Sequence, residues 1–250
     1  MSSSSNNEVI LYDLARRGPP GSNTSWSANV WKTRLLLNYK SIPYRTGWLD
    51  HNTIAPTLKK LGVPPNTSGQ GSAYTVPTVR LRDGSFVMDS GAIAKVLEEI
   101  YPEPKLAFDQ ASQGRVEKAV GVVGGALVPV FMPRVARDVV VESSAPYLRE
   151  IRSKRFGMSL EELEASRGGE QAWQAAKPGF EELKKVLEEE KRDEGPFILG
   201  SEVSYGDFII VALVEGFKRI GEDIGERILG MDERFRKLYE GCGKWMERDT

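Results

Sequence analysis

The sequence predicts an α/β domain over residues 9–105 followed by an all-helical domain over residues 111–250, with a disordered tail at 1–8. Three observations predict it. A short apolar run at 9–13, a helical pattern at 28–39 and a second β-prone run at 42–48 follow one another, the ingredients of a β-α-β unit. Two β-rich runs flank Asp83-Gly84, a pair that tolerates positive φ and marks a hairpin. Beyond residue 111 the chain carries helix caps and helical spacing but no convincing strand pairs.

Each element has a local reason. The run Val9-Ile10-Leu11-Tyr12-Asp13 reads as a buried strand. Residues 14–26 are a loop on their Gly-Pro-Pro-Gly chemistry. The helix at 28–39 carries Val30, Trp31, Leu35, Leu36 and Leu37, with Ser25 or Ser27 as its cap. A short helix is expected at 53–61, then a Gly-, Pro- and Ser-rich loop at 62–73. After the hairpin, Asp89 and Ser90 precede Ile93, Val96, Leu97, Ile100 and Tyr101, one apolar stripe at helical spacing that Pro102 ends. Strand, helix, strand, helix, hairpin, helix is a thioredoxin-like order, and a parallel pair in it requires a right-handed crossover.

Composition removes several function classes. Lys and Arg number 34 against 35 Asp and Glu, so no net field favours nucleic acid or an anionic membrane. Cys242 is the single cysteine and His51 the single histidine, so neither an intrachain disulfide nor a Cys/His metal site is available, and no metal is expected. No uncharged apolar run is long enough to span a bilayer. The Ser/Asn-rich start has no basic-then-apolar pattern, so a cytoplasmic protein is expected.

The candidate binding chemistry lies between residues 74 and 101. Val76 precedes Pro77 and should be extended; a cis bond there would leave the Val76 N–H and C=O at an open strand end. Asp89 and Ser90 open a helix, where backbone N–H groups and the dipole favour an anion. A peptide-like ligand would pair with Val76, seat its α-carboxylate at Ser90 and offer its ammonium to Asp89. An ordinary hairpin-to-helix turn uses the same residues. In the thioredoxin-like order the other reactive position is the start of the first helix, here Ser25-Trp26-Ser27-Ala28-Asn29. It has no cysteine, so exchange through a protein thiol is excluded there. Ser27 is either a plain N-cap or a hydroxyl that donates to a ligand's thiolate; Ser25 is the runner-up and Asn29 a second donor.

Val76-Pro77, a hairpin and then Asp89-Ser90 opening a helix resembles the glutathione site of the cytosolic glutathione transferases. The resemblance implies that Val76 pairs with the cysteinyl backbone of glutathione and that Asp89 and Ser90 hold its γ-glutamyl end. The family pattern has Glu where this chain has the shorter Asp89. It also implies glutathione as co-substrate, Ser27 at the thiol, and small hydrophobic or aromatic acceptors in the helical domain. His51, Lys59 and Lys60 are candidates for the glycyl carboxylate, though solvated side chains fit them equally. The wording at 11–14, 27–35 and 89–94 is similar to the etherase-related transferases, the fungal class A group above all, with bacterial β-etherases and omega-like transferases more distant. Kinship implies a homodimer and wood-derived or secondary-metabolite aromatics as acceptors. Two other classes share the fold: a non-catalytic glutathione and aromatic-ligand carrier, and a structural module.

In the second half a long helical candidate spans 113–141, broken near Pro129 and Pro133, with Val139-Val140-Val141 locally β-prone. Phe131, Met132 and Pro133 are candidate acceptor-pocket residues. Ser159 with Glu162 and Ser204 with Asp207 are spaced as capping boxes. Phe208, Ile209, Val211, Ala212, Leu213 and Val214 make the helix after Ser204 apolar on nearly every side, hence buried.

Overall fold

The computed structural model describes residues 8–19, 21–67 and 72–250. The tail expected at 1–8, Glu8 apart, and part of the loop at 62–73 lie outside the described residues. Four strands form one sheet in the order β2-β1-β3-β4: β1 is Val9–Leu14, β2 Tyr44–Leu49, β3 Thr78–Arg80 and β4 Phe86–Met88. β1 and β2 run parallel with Leu11 opposite Thr46, and β3 lies antiparallel to both β1 and β4. This is the thioredoxin-like sheet. The helices of this half are α1 (Ala28–Tyr39), α2 (Ile54–Lys60) and α3 (Ser90–Ile100).

β1 is apolar at successive positions because both of its faces are covered. Val9 and Leu11 pack with Leu35, Leu36, Ile93 and Leu97 on the α1/α3 side, while Ile10 and Tyr12 pack with Leu58 and Val63 on the α2 side. Asp13 falls in alternation on the α1 side. There it meets Arg34 at 2.9 Å, both side chains fully buried. Arg34 also donates to the Tyr44 hydroxyl and to Thr46 Oγ1, each at 3.2 Å. The pair ties α1 to the parallel strands at the end of the sheet where α1 begins.

The second half is helical: α4 (Gln110–Ala126), α5 (Val128–Arg134), α6 (Ala145–Phe156), α7 (Leu160–Arg167), α8 (Glu170–Glu189), α9 (Tyr205–Ile220), α10 (Glu222–Leu229) and α11 (Glu233–Gly241). The candidate at 113–141 is two helices bent by 65° at Leu127, continued by a π-helical turn at Val135–Val139. Pro129 suits the first turn of α5, where an N–H would be unpaired anyway, and Pro133 offers no N–H to the carbonyl of Pro129. Val140 makes one antiparallel bridge with Arg16, the extent of the β tendency seen there. The second strand starts at Tyr44 rather than 42, and the helix expected at 53–61 is a 3-10 turn, His51–Thr53, followed by α2.

α9 is the axis on which the two halves meet. Its residues from Tyr205 to Phe217 are all buried, so its apolar circumference has partners on every side. Gly216 is the point of closest approach to α1: a Cβ there would stand 2.9 Å from the backbone of Ala28. The capping box forms as spaced. Asp207 accepts from the Ser204 N–H at 2.7 Å, the Ser204 hydroxyl at 2.8 Å and the Ile198 N–H at 2.7 Å, while the Asp207 N–H donates to Ser204 Oγ. The Ser159–Glu162 box opens α7 in the same way at the surface.

The Asp207→Ala variant leaves three buried donors without an acceptor. It is expected to lose about 3 kcal/mol or more of unfolding free energy, read as a fall in the urea midpoint. A loss below about 1 kcal/mol would contradict the role given to this box.

Candidate active site

A cleft of about 730 Å³ opens between the sheet layer and the helical half. Its floor on the sheet side is the start of α1. Ser27 is the N-cap of that helix, and its carbonyl accepts the N–H groups of Val30 and Trp31 at 3.0 and 2.9 Å. Its hydroxyl makes no capping bond, so Oγ stays available at the cleft surface beside the positive end of the helix. Ser25 is fully buried, faces Asp13 and does not line the cleft.

Val76 also lines the cleft, and the Val76-Pro77 bond is cis. Among the described residues the Val76 N–H and C=O have no hydrogen-bond partner, whereas Pro77 is buried and its carbonyl accepts the Asp89 N–H at 3.3 Å. Asp89 is the N-cap of α3, with φ at 81°. Its Oδ1 accepts from the Gly91 and Ala92 N–H groups at 2.9 and 3.1 Å, and Oδ2 takes no bond among the described residues. Ser90 is the first residue of α3. Asp89, Ser90 and Pro77 adjoin the cleft without lining it. Tyr205 lies behind them: it is buried, its hydroxyl stands against Ser90, and no well-aligned partner completes it among the described residues. Burial pushes its phenol up.

Asn29 is exposed on the cleft rim, and its Oδ1 accepts from Lys32 Nζ at 3.0 Å. Burial pulls the Lys32 ammonium below its usual range, and the carboxylates of Asp89 and Glu117 oppose that shift. Lys32 is therefore a second positive element at the start of α1. Its spacing from Ser27 and Asn29 on one helix was the signal available for it in the sequence; Tyr205 had none.

His51 stacks on Trp26 with ring centroids 5.7 Å apart, and both line the cleft. Desolvation, with the Arg152 charge adding to it, lowers the His51 pKa to about 4. Lys59 and Lys60 are exposed and stand outside the cleft. Of the three acceptor-pocket candidates, Phe131 and Met132 line it and Pro133 is buried away from it. Trp26, Ile151 and Phe156 complete an apolar wall that the sequence alone did not assemble.

A thioredoxin-like layer whose first helix starts on a cleft, closed by a helical layer behind a buried capped helix, defines the two-layer architecture of the glutathione S-transferases. The chain matches the glutathione S-transferase N-terminal domain over residues 26–100 and the C-terminal domain over residues 107–245. It is similar to the glutathione S-transferase-like protein ustS of Aspergillus flavus, 32% identical over 243 residues, 91% of this chain and 87% of that protein. Among solved structures it is similar to the transferase GSTFuA3 of Phanerochaete chrysosporium (TM-score 0.85, 27% identity, covering 98% of this chain and 100% of that one). It is also similar to CsGST63524 of Ceriporiopsis subvermispora, solved in complex with glutathione (TM-score 0.84, 30% identity, 98% and 99%). The chain belongs to the glutathione S-transferase family. No group of His, Cys, Asp and Glu among the described residues is arranged to hold a metal ion.

Because His51 is the single histidine, its ring protons can be followed by NMR without assignment. The ligand-free protein is expected to titrate with a midpoint near 4. The sign follows from the depressed value: the unfolded chain binds the proton first, so this residue lowers stability as pH falls from 6.5 toward 4. A midpoint near 6.5 would contradict the desolvated stack on Trp26.

Proposed function

We propose that the protein is a serine-type glutathione transferase. In this reading Ser27 donates its hydroxyl hydrogen to the sulfur of glutathione and stabilises the thiolate. The observation that carries it is the Ser27 hydroxyl, free of capping duty at the α1 N-terminus and on the cleft. The hydroxyl, the helix dipole and the Lys32 charge all favour the ionised thiol, whose proton leaves to solvent. The thiolate then attacks an electrophilic or ether carbon; a carbon–sulfur bond forms and the leaving group departs with its electron pair. Asn29, through its amide, is a second donor beside the sulfur.

Val76 is proposed to pair through its open N–H and C=O with the cysteinyl backbone of glutathione, with Pro77 holding that turn. Ser90, at the α3 N-terminus, takes the γ-glutamyl carboxylate, and Asp89 Oδ2 takes the ammonium. Residues 9–105 serve as the glutathione-binding domain and 111–250 as the acceptor domain. Small hydrophobic or aromatic electrophiles fit the wall of Trp26, Phe131, Met132 and Phe156. An etherase-related fungal class A membership, thiolytic cleavage of aryl ethers, a homodimer and a cytoplasmic location complete the proposal. The same aromatic wall also suits a carrier that holds ligands without turnover.

Ser27→Ala is expected to lower kcat for conjugation of an activated chloronitrobenzene by about 10- to 100-fold, with glutathione affinity little changed. Ser90→Ala is expected to weaken glutathione binding by about tenfold, measured by calorimetry. Full conjugating activity in Ser27→Ala would remove Ser27 from its role. Saturable aromatic binding with no adduct would favour the carrier.

A further inference from the structure

α6 carries four basic residues from Arg149 to Arg155, and they divide by what they meet. Arg149 pairs with Glu161 and Lys154 with Glu150, outside the cleft lining. Arg152 and Arg155 line the cleft. Neither makes an ion pair or hydrogen bond among the described residues, and Arg152 Nε is buried without a partner. Charge at the end of a helix offsets the dipole, which accounts for the exposed Arg155 but not for Arg152, partly buried and lining a cavity. A guanidinium keeps its charge, so a partly desolvated one without an anion is an uncompensated cost. Burial and the neighbouring Arg155 charge both lower the Arg152 pKa, the same cost seen as a proton equilibrium.

The remainder of the cleft sharpens this. Glu117 on α4 is the only carboxylate among the described residues lining it, and it faces Lys32 at the α1 end. His51, the neighbour of Arg152, is uncharged at neutral pH. The Ser144 hydroxyl, at the N-terminus of α6, donates to Asn52 Oδ1 at 3.0 Å and ties that end of the helix to the 3-10 turn after β2.

We infer that Arg152 and Arg155 form a carboxylate seat at the acceptor end of the cleft, so that the protein takes aromatic acceptors bearing a carboxylate. The inference rests on the glutathione-transferase reading and deepens it by naming the acceptor class. A carboxylate in the cleft has two sources, the acceptor and the glycyl end of glutathione. The acceptor is favoured because the two arginines rise from the same helix as Ile151 and Phe156 of the apolar acceptor wall.

The test is calorimetric binding of two glutathione adducts, S-(4-carboxy-2-nitrophenyl)glutathione and its carboxamide, each as the free acid and as the glycyl ethyl ester. The carboxylate adduct is expected to bind at least about tenfold tighter than the carboxamide, whether or not the glycyl end is esterified. That preference should fall to near unity in Arg152→Gln and shrink in Arg155→Gln, and should persist in Arg149→Gln, whose arginine is already paired. Equal affinity for carboxylate and carboxamide in the native protein would overturn the seat. So would an arginine dependence that follows the glycyl ester instead. Binding of neither adduct by folded protein would overturn the glutathione reading and this inference together, an outcome distinct from equal binding of both.

Discussion

The buried ion pair of Asp13 and Arg34 is the constraint on which the site depends. It joins the end of β1 to α1 inside the protein, where breaking such a pair by removing one member costs about 3–5 kcal/mol. Arg34 has further partners in the Tyr44 hydroxyl and Thr46 on β2, and it lies within 5.9 Å of the Trp31, Tyr44 and Trp48 ring centres. One guanidinium therefore fixes α1 against both parallel strands. With the helix held there, its N-terminus and the Ser27 hydroxyl can sit on the cleft rather than in the core.

The second half of the chain completes the site from the other side. α9 is buried along most of its length and starts from a fully satisfied capping box. Near its end Gly216 lets α1 approach within backbone distance. At its start Tyr205 backs Ser90. The same helix thus supports both the proposed thiol end and the proposed γ-glutamyl end. This joins stability to function, because loosening the capping box would disturb both ends of the peptide site at once.

Much of this was legible in the sequence, and the exceptions have physical causes. The two capping boxes, the Asp83-Gly84 hairpin and the apolar helix after Ser204 were readable because each is a local pattern with one strong solution. The local geometry of Ser27, Val76-Pro77 and Asp89-Ser90, two helix starts and a cis turn, was readable because cap and turn chemistry mark it, and their roles toward a ligand are proposals. The break at Leu127 was foreseen only as a kink near prolines, since the angle depends on packing between helices. Lys32 was passed over although its helix spacing from Asn29 was visible, whereas Tyr205, Arg152 and Arg155 were missed for a common reason. A charged or phenolic residue on a helix takes its meaning from which neighbour faces it, and that neighbour lies far away in the chain.

The central claim is that the α1 N-terminus and the Ser27 hydroxyl ionise a bound thiol. An ultraviolet difference titration of bound glutathione against pH, on the native protein and on Ser27→Ala, tests it most directly. The account predicts thiolate absorbance in the native complex well below the free thiol's range, about 8.5, and its return toward that range in the variant. Bound glutathione that ionises only at its free value in the native protein would contradict it.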